Sequence, residues 1–309
     1  MTNPTFSVVI AAYNAERTIQ ETIDSVLAQS EDDFELIIVD DGSEDLTLSF
    51  ALCKAAADPR IKVATQANQG VSAARNLGVA KARGRLLAFL DADDIWHSNK
   101  LSRHRELHER DPAIEASYAR IVFCPDKPGK LKSGRTRSTV LEDYCALEDV
   151  VIENVVCTMS NLVIERDTFL EIGGFHRQMR HVEDQDLLAR LVGGGHRLLG
   201  IPETLVGYRM SADGLSCDFQ AMLTGWKSLA EQWSHQIDVK RGEALYCRYL
   251  ARRALRSGTT MALARDFVRQ GLASDRKAFL GNGQRGVMTL GAAVIGSAIP
   301  ERARTSIFA

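Results

Sequence analysis

Acidic residues collected at the ends of apolar runs are the part of this chain that can do chemistry. Leu86-Leu87-Ala88-Phe89-Leu90 reads as a buried strand and stops at Asp91-Ala92-Asp93-Asp94. Phe34-Glu35-Leu36-Ile37-Ile38-Val39 stops in the same way at Asp40-Asp41, and Glu183-Asp184 opens the apolar helical run from Leu187 to Val192. Carboxylates grouped without a cation in sequence reach repel one another, and a hard divalent metal bridging to a phosphate relieves that repulsion. Helix capping and the helix dipole explain one acid of 91–94, before a helix opening near Trp96, and one or two of 183–186. They leave the rest unexplained. Transfer from a nucleotide donor uses such a set: one carboxylate accepts from a base N–H, a pair holds ribose and metal, and a third takes a proton from an acceptor hydroxyl. Arg75 adds a fixed cation for the charge that develops on a leaving diphosphate.

These groups need a scaffold that brings strand ends together. Phe6 to Ala12 is a β-rich run followed by Tyr13-Asn14, with Asn14 the expected N-cap of a helix carrying Ile19, Ile23, Val26 and Leu27 on one stripe. The pattern repeats as strand Phe34 onward, helix to about Ala57, strand Ile61 to Thr65, helix Val71 to Ala82 and strand Arg85 to Leu90. Strands alternating with helices at this spacing predict right-handed βαβ units and a mostly parallel sheet flanked by helices, where ligands bind beyond the carboxyl ends of the strands. A helix from about Asn99 to Arg110 and a strand from Ala116 to Phe123 follow. Next comes the loop Pro125 to Ser138, whose Lys127, Lys130, Lys132, Arg135 and Arg137 face only Asp126; it reads as a solvated surface loop, with a phosphate-attracting lid as the alternative. A strand from Asn161 to Glu165, a short helix from Asp167 to Ile172, the turn Gly173-Gly174-Phe175 and an extended segment from Arg197 to Met210 complete this part. Beyond it the pattern turns helical, with Trp226, Leu229 and Trp233 and then Leu245, Tyr249, Ala251 and Leu255 at helical spacing, so a domain is expected over 1–215 and a helical region over 216–309.

With 309 residues, 45% hydrophobic and 25% charged, the chain has the material for one large core or two smaller ones, which excludes a disordered polymer. The N-terminus has no basic segment followed by an apolar core, and no apolar run has the length of a membrane span, so a cytoplasmic location is expected. Cysteines 53, 124, 145, 157, 217 and 247 form no close pairs, which argues against a zinc site or a disulfide framework. Charge is divided unevenly: residues 240–309 carry 13 Lys/Arg against 4 Asp/Glu, and residues 1–239 carry 25 against 36. A basic segment ending in the apolar stretch Met288 to Ile299 suits an interfacial or buried helix, with an anionic membrane face or a second copy as its contact.

The motifs together resemble family 2 glycosyltransferases of the GT-A fold. The matching stretches are Ser7-Val8-Val9-Ile10-Ala11-Ala12-Tyr13-Asn14, Asp40-Asp41-Gly42-Ser43, Asn68-Gln69-Gly70 with Ala74-Arg75-Asn76, Asp91-Ala92-Asp93-Asp94, Gly173-Gly174-Phe175 and Glu183-Asp184. Each is weak alone; six in order over about 210 residues are specific. The resemblance implies a Rossmann-like α/β fold and an inverting enzyme that moves a sugar from a nucleotide-diphosphate sugar to a hydroxyl of a glycan or lipid-linked acceptor in bacterial surface polysaccharide assembly. It implies that Ala11, Tyr13 and Asp40 hold the base, usually uracil, and that Asp91 approaches the ribose and shares with Asp93 an Mn²⁺ or Mg²⁺ ion. Arg75 completes the nucleotide site, and Asp184 is the general base with Glu183 as the alternative. Processive synthases of the family carry Gln-x-x-Arg-Trp and membrane spans; neither is present, which implies transfer of one sugar or a few. No nucleic-acid partner is expected.

Other classes fit less well. A magnesium-dependent phosphotransfer domain needs its acidic pair after the first strand, whereas Asp40-Asp41 follows the second. A dinucleotide-binding dehydrogenase needs Gly-x-Gly-x-x-Gly after the first strand, where Ala12-Tyr13-Asn14-Ala15 stands. A non-catalytic nucleotide-sugar-binding protein would keep the fold and lose turnover, yet every acid is present.

Overall fold

A computed structural model describes residues 3–124, 136–179, 181–209, 218–256, 261–281 and 284–296. The chain divides into two compact units, Met1–Ala146 with Val155–Ser211, and Leu147–Asn154 with Ala212–Ala309.

The first unit is built on β1 (Phe6–Ala12), α1 (Ile19–Leu27), β2 (Phe34–Asp40), α2 (Thr47–Ala57), β3 (Ile61–Thr65), α3 (Val71–Lys81) and β4 (Leu86–Asp91). It continues through β5 (Ile95–Trp96), α4 (Lys100–Arg110) and β6 (Ala116–Cys124), and, after α5 (Leu147–Ile152) of the second unit, β7 (Val163–Glu165), α6 (Arg166–Glu171), α7 (Glu183–Gly193) and β8 (Leu198–Arg209). The eight strands form one sheet in the order β3-β2-β1-β4-β7-β6-β8-β5. Strands β3, β2, β1 and β4 run parallel, and β7 joins β4 antiparallel. Val8, Val9, Ile10, Leu36, Ile37, Ile38, Leu87, Ala88 and Phe89 are all buried. This is the continuous apolar pattern of parallel strands covered by helices on both faces. Gly78 lets α3 lie close to β1, since a Cβ there would stand 2.4 Å from Val9 Cγ1.

Two local expectations give way to tertiary pairing. Asn14 is not a helix cap: it has φ 47°, and α1 begins five residues later, at Ile19, with Thr18 at the cap position. Trp96 does not open a helix either, because Ile95–Trp96 pairs antiparallel with Val206–Gly207 of β8. Residues 125–135, with Lys127, Lys130, Lys132 and Arg135, lie outside the described residues, while Arg137 makes an isolated antiparallel bridge to Val122. The expected boundary at 215 also falls outside them, within 210–217.

The second unit comprises α5, α8 (Phe219–Gln232), α9 (Val239–Arg256), α10 (Met261–Ser274), α11 (Arg276–Leu280) and α12 (Gln284–Ile295). Its core centres on Trp226, which stacks on Tyr246 at 5.1 Å and donates its Nε1–H to the Val151 carbonyl at 2.8 Å. Short α5, with no long apolar period of its own, is thereby taken into this unit from the middle of the chain. No helix of the described residues is long and apolar enough to cross a membrane.

Candidate active site

Parallel register places the first pair of acids. Ala11 lies opposite Val39 and Asp91, and Ala12 opposite Asp40, so Asp40 and Asp91 flank the carboxyl end of β1. Tyr13, the next residue but one after Ala11, is 49% exposed. Asn14 laces the loops after β1 and β2: its N–H donates to Ser43 Oγ at 3.0 Å, and its Oδ1 accepts from Glu44 N–H at 2.9 Å.

Neighbouring acids differ in what they touch. Asp41 accepts from Gln66 Nε2 (2.7 Å), Gln69 N–H (2.9 Å) and Gly70 N–H (2.9 Å), and so shapes the turn that enters α3. Asp40 is only 2% exposed; its Oδ2 accepts from Ser43 N–H at 3.2 Å, and its buried Oδ1 has no donor among the described residues. A buried acceptor without a donor is costly. A base N–H would satisfy it.

The Asp91–Asp94 turn separates its acids in the same manner. Asp91 Oδ1 takes Arg75 Nη2 at 2.6 Å, its Oδ2 accepts from Thr158 Oγ1 at 3.0 Å, and its N–H donates to Ser160 Oγ at 3.0 Å. Asp94 is fully buried and accepts from Ser160 Oγ at 2.5 Å and Arg209 N–H at 2.8 Å. Burial, followed by the charges of Asp93 and Asp91, pushes its carboxyl well above the ordinary range. Asp94 is thus a tie between strands and not a helix cap. Arg209 completes the tie by donating Nε–H to the Asp93 carbonyl (2.7 Å) and Nη2–H to Glu21 (2.7 Å).

Asp93, half-buried between Asp91 and Asp94, carries an oxygen donor of the hardness that Mg²⁺ and Mn²⁺ select. Among the described residues no three His, Cys, Asp or Glu side chains are placed to cage an ion. An ion held by one or two carboxylates and completed by substrate phosphates needs no such cage, and three carboxylates crowded within 91–94 form the kind of acidic group whose repulsion a cation would relieve. The donor set fits a divalent ion bound together with a diphosphate.

Arg75 joins this edge to the third acidic group. Nearly buried on α3, it reaches Asp91, Asp184 Oδ1 at 3.0 Å and Glu183 Oε1 at 4.0 Å, and its guanidinium lies 5.1 Å from the Phe175 ring centroid. Burial opposes its charge, but Asp91, Asp184 and Glu183 outweigh that and raise its pKa. Asp184 has 22% of its side chain exposed. Burial raises its pKa, Arg75 opposes, Glu183 and Asp91 raise it further, and the result is about 7. A carboxylate poised near neutral pH is matched to general-base work.

Packing explains how α7 arrives beside α3. Asn76, next to Arg75, donates Nδ2–H to the Phe175 carbonyl (2.7 Å) and accepts from Phe175 N–H (3.0 Å). The intervening turn requires glycine, with φ 84° at Gly173 and 65° at Gly174. Phe175 then packs edge-on against Phe89 of β4, with ring centroids 5.3 Å apart. Arg190 of α7 donates to the Gly174 carbonyl at 2.7 Å while paired with buried Asp186. All the residues singled out from sequence, Ala11, Tyr13, Asp40, Arg75, Asp91, Asp93, Glu183 and Asp184, lie in the first unit. Sequence reasoning missed Thr158, Ser160 and Arg209. The only local signal was a short polar run, Thr158-Met159-Ser160-Asn161, between apolar segments.

Known proteins resemble this chain in sequence and in fold. The chain is 29% identical over 248 residues to the putative teichuronic acid biosynthesis glycosyltransferase TuaG of Bacillus subtilis, covering 78% of this chain and 91% of that one. An uncharacterized glycosyltransferase of Haemophilus influenzae is 27% identical over 188 residues, so the match spans 60% of this chain and 61% of that relative's length. Among solved structures, S. aureus TarS 1-349 in complex with UDP-GlcNAc superposes with a TM-score of 0.63 at 16% identity, over 98% of this chain and 89% of that one. The mannosyltransferase PcManGT of Pyrobaculum calidifontis, in complex with GDP-Man and Mn²⁺, gives 0.61 at 17% identity, over 100% and 85%. At these identities the two structures share the fold, a curled α/β sheet flanked by helices. Matched by the model for Glycosyl transferase family 2 over residues 7–167, more than half of its length, the chain belongs to that family.

Proposed function

We propose that the protein is an inverting glycosyltransferase that moves a sugar from a UDP-sugar to a hydroxyl of a glycan or lipid-linked acceptor. The observation that carries this reading is Arg75, which links Asp91 on the donor side to Asp184, the carboxyl poised at about 7. Asp40 Oδ1 accepts the base N–H, Tyr13 stacks on the base beside Ala11, and Asp91 orients the ribose. Asp93, with Asp91 nearby, holds Mn²⁺ or Mg²⁺, which when bound neutralises charge on the diphosphate. Asp184 removes the acceptor proton; the acceptor oxygen bonds to the anomeric carbon as the bond to the diphosphate oxygen breaks, and the configuration inverts. Glu183, whose charge raises the pKa of Asp184, is the alternative base. The name of TuaG and the UDP-GlcNAc bound to TarS support surface-polysaccharide chemistry with a UDP donor.

Residues 1–215 form the catalytic domain in this reading. Residues 216–309, basic and carrying α12 with exposed Val287, Met288 and Val294, make the contact with an anionic membrane face inside the cell, and a homodimer through those helices is the competing outcome of a vesicle sedimentation and light-scattering test. The central experiment is calorimetric titration with UDP, GDP and dTDP, each with Mn²⁺ and with EDTA. Metal-dependent binding of UDP that Asp93→Ala removes and Asp184→Asn spares supports the assignment. Full transfer activity in Asp184→Asn would refute the base.

A further inference from the structure

One side of α4 holds a buried basic cluster that the mechanism above leaves unused. Lys100, His104 and His108 recur every fourth residue, and with Ser117 of β6 they are buried. Lys100 Nζ lies 2.9 Å from His104 Nε2; His104 Nδ1 lies 2.7 Å and His108 Nε2 2.9 Å from Ser117 Oγ. Because an ammonium only donates, His104 accepts at Nε2 and carries its proton on Nδ1, and the Ser117 hydroxyl passes a hydrogen bond on to His108. No carboxylate forms an ion pair with Lys100 among the described residues, so charge neutralisation is not its role there.

What Lys100 does reach is the turn behind the acids. Its remaining donors meet the Asn161 carbonyl at 3.2 Å and the face of Trp96, whose centroid is 5.2 Å away. Trp96 Nε1–H in turn donates to the Ser160 carbonyl at 2.8 Å. Two consecutive carbonyls of the Met159–Asn161 turn are therefore held, one by Lys100 of α4 and one by Trp96 of β5, and the hydroxyls of Thr158 and Ser160 hold Asp91 and Asp94. Burial of the ammonium pushes the Lys100 pKa down to about 7, so keeping the residue there has a cost in stability.

We propose that Lys100 is a positioning residue for the nucleotide donor: it fixes the Thr158–Asn161 turn so that the turn's hydroxyls aim Asp91. This rests on the donor reading given above. The Asn161 side chain independently binds Ala119 N–H and C=O and the Val156 carbonyl, so loss of the lysine is expected to shift the turn rather than to unfold it.

The test is a double-mutant cycle read by calorimetry with UDP and Mn²⁺, with folding checked by near-UV circular dichroism. Lys100→Met and Ser160→Ala are each expected to weaken binding about tenfold, the scale of one lost hydrogen bond, and the double variant is expected to be no weaker than either. A general loosening of the core would give independent losses that multiply to about a hundredfold. Wild-type affinity in Lys100→Met, or multiplied losses, would overturn the proposal. If Lys100→Met does not fold, Lys100→Gln takes its place in the same cycle, with the same two outcomes. Failure of the wild-type protein to bind UDP would instead remove the donor reading itself.

Discussion

The ionisation of Asp184 yields the most demanding prediction, because it links stability, catalysis and three neighbours. An ordinary Asp loses its proton near 3.8, and this one near 7. A carboxyl whose folded pKa is raised favours folding when protonated, so its contribution is present below about 4 and is lost as pH rises through 7. At about 1.4 kcal/mol per unit, the loss is roughly 4 kcal/mol between pH 4 and 7. Urea unfolding of the wild type against Asp184→Asn across that window should show this difference in slope, and ¹³C-aspartate NMR should place one resonance, absent from the variant, titrating near neutrality. In kinetics the base must be deprotonated, so kcat/KM for transfer should fall about tenfold per unit below 7 and stand near a tenth of its plateau at pH 6. The neighbours set the direction of further shifts: Arg75 lowers this pKa while Glu183 and Asp91 raise it. Arg75→Met should therefore move the acidic limb up by about 1–2 units, and Glu183→Gln should move it down. A flat profile between pH 5.5 and 8, or a limb that moves down in Arg75→Met, would refute the assignment.

Three other outcomes test separate parts of the structure. Asp40→Ala removes the acceptor that lacks a donor, so UDP affinity in Mn²⁺ should fall by about tenfold to a hundredfold while the residual binding stays metal-dependent, which calorimetry separates from the loss in Asp93→Ala. Lys100 has its pKa depressed from 10.5 to about 7, which disfavours the fold below 7 and is relieved as pH rises toward 10.5. Relative to Lys100→Met, the wild type should gain up to roughly 5 kcal/mol of stability from pH 7 to 10.5 in denaturant unfolding; parallel curves would contradict the buried ammonium. Gly78→Ala forces a methyl to within 2.4 Å of Val9 Cγ1 and should cost about 1–3 kcal/mol, seen as a lower urea midpoint with unchanged slope.

Local sequence determined the parallel half of the sheet and where its acids stand. Hydrophobic runs of strand length end at Asp40 and at Asp91, and the burial pattern that dictates a strand also dictates where it stops, so both acids could be placed at one edge before any contact was known. The helical stripe of α1 and the glycines of the Gly173–Gly174 turn were legible for the same reason: periodicity and backbone freedom are properties of neighbouring residues. What each acid does was not legible. Asp41 and Asp94 look in sequence like their neighbours, yet one organises the entrance to α3 and the other ties β4 to Ser160 and Arg209. The meeting of Arg75 with Asp184, 109 residues away, depends on Asn76 gripping Phe175 and on Phe175 finding Phe89. Trp96 became a strand residue because β8 offered it a partner, and α5 joined the second unit because Val151 faces Trp226. Such pairings depend on which distant surfaces the folded chain brings into contact. Local periodicity writes the elements and the acids they end on; only tertiary closure decides which acids are taken into structural ties and which are gathered around Arg75.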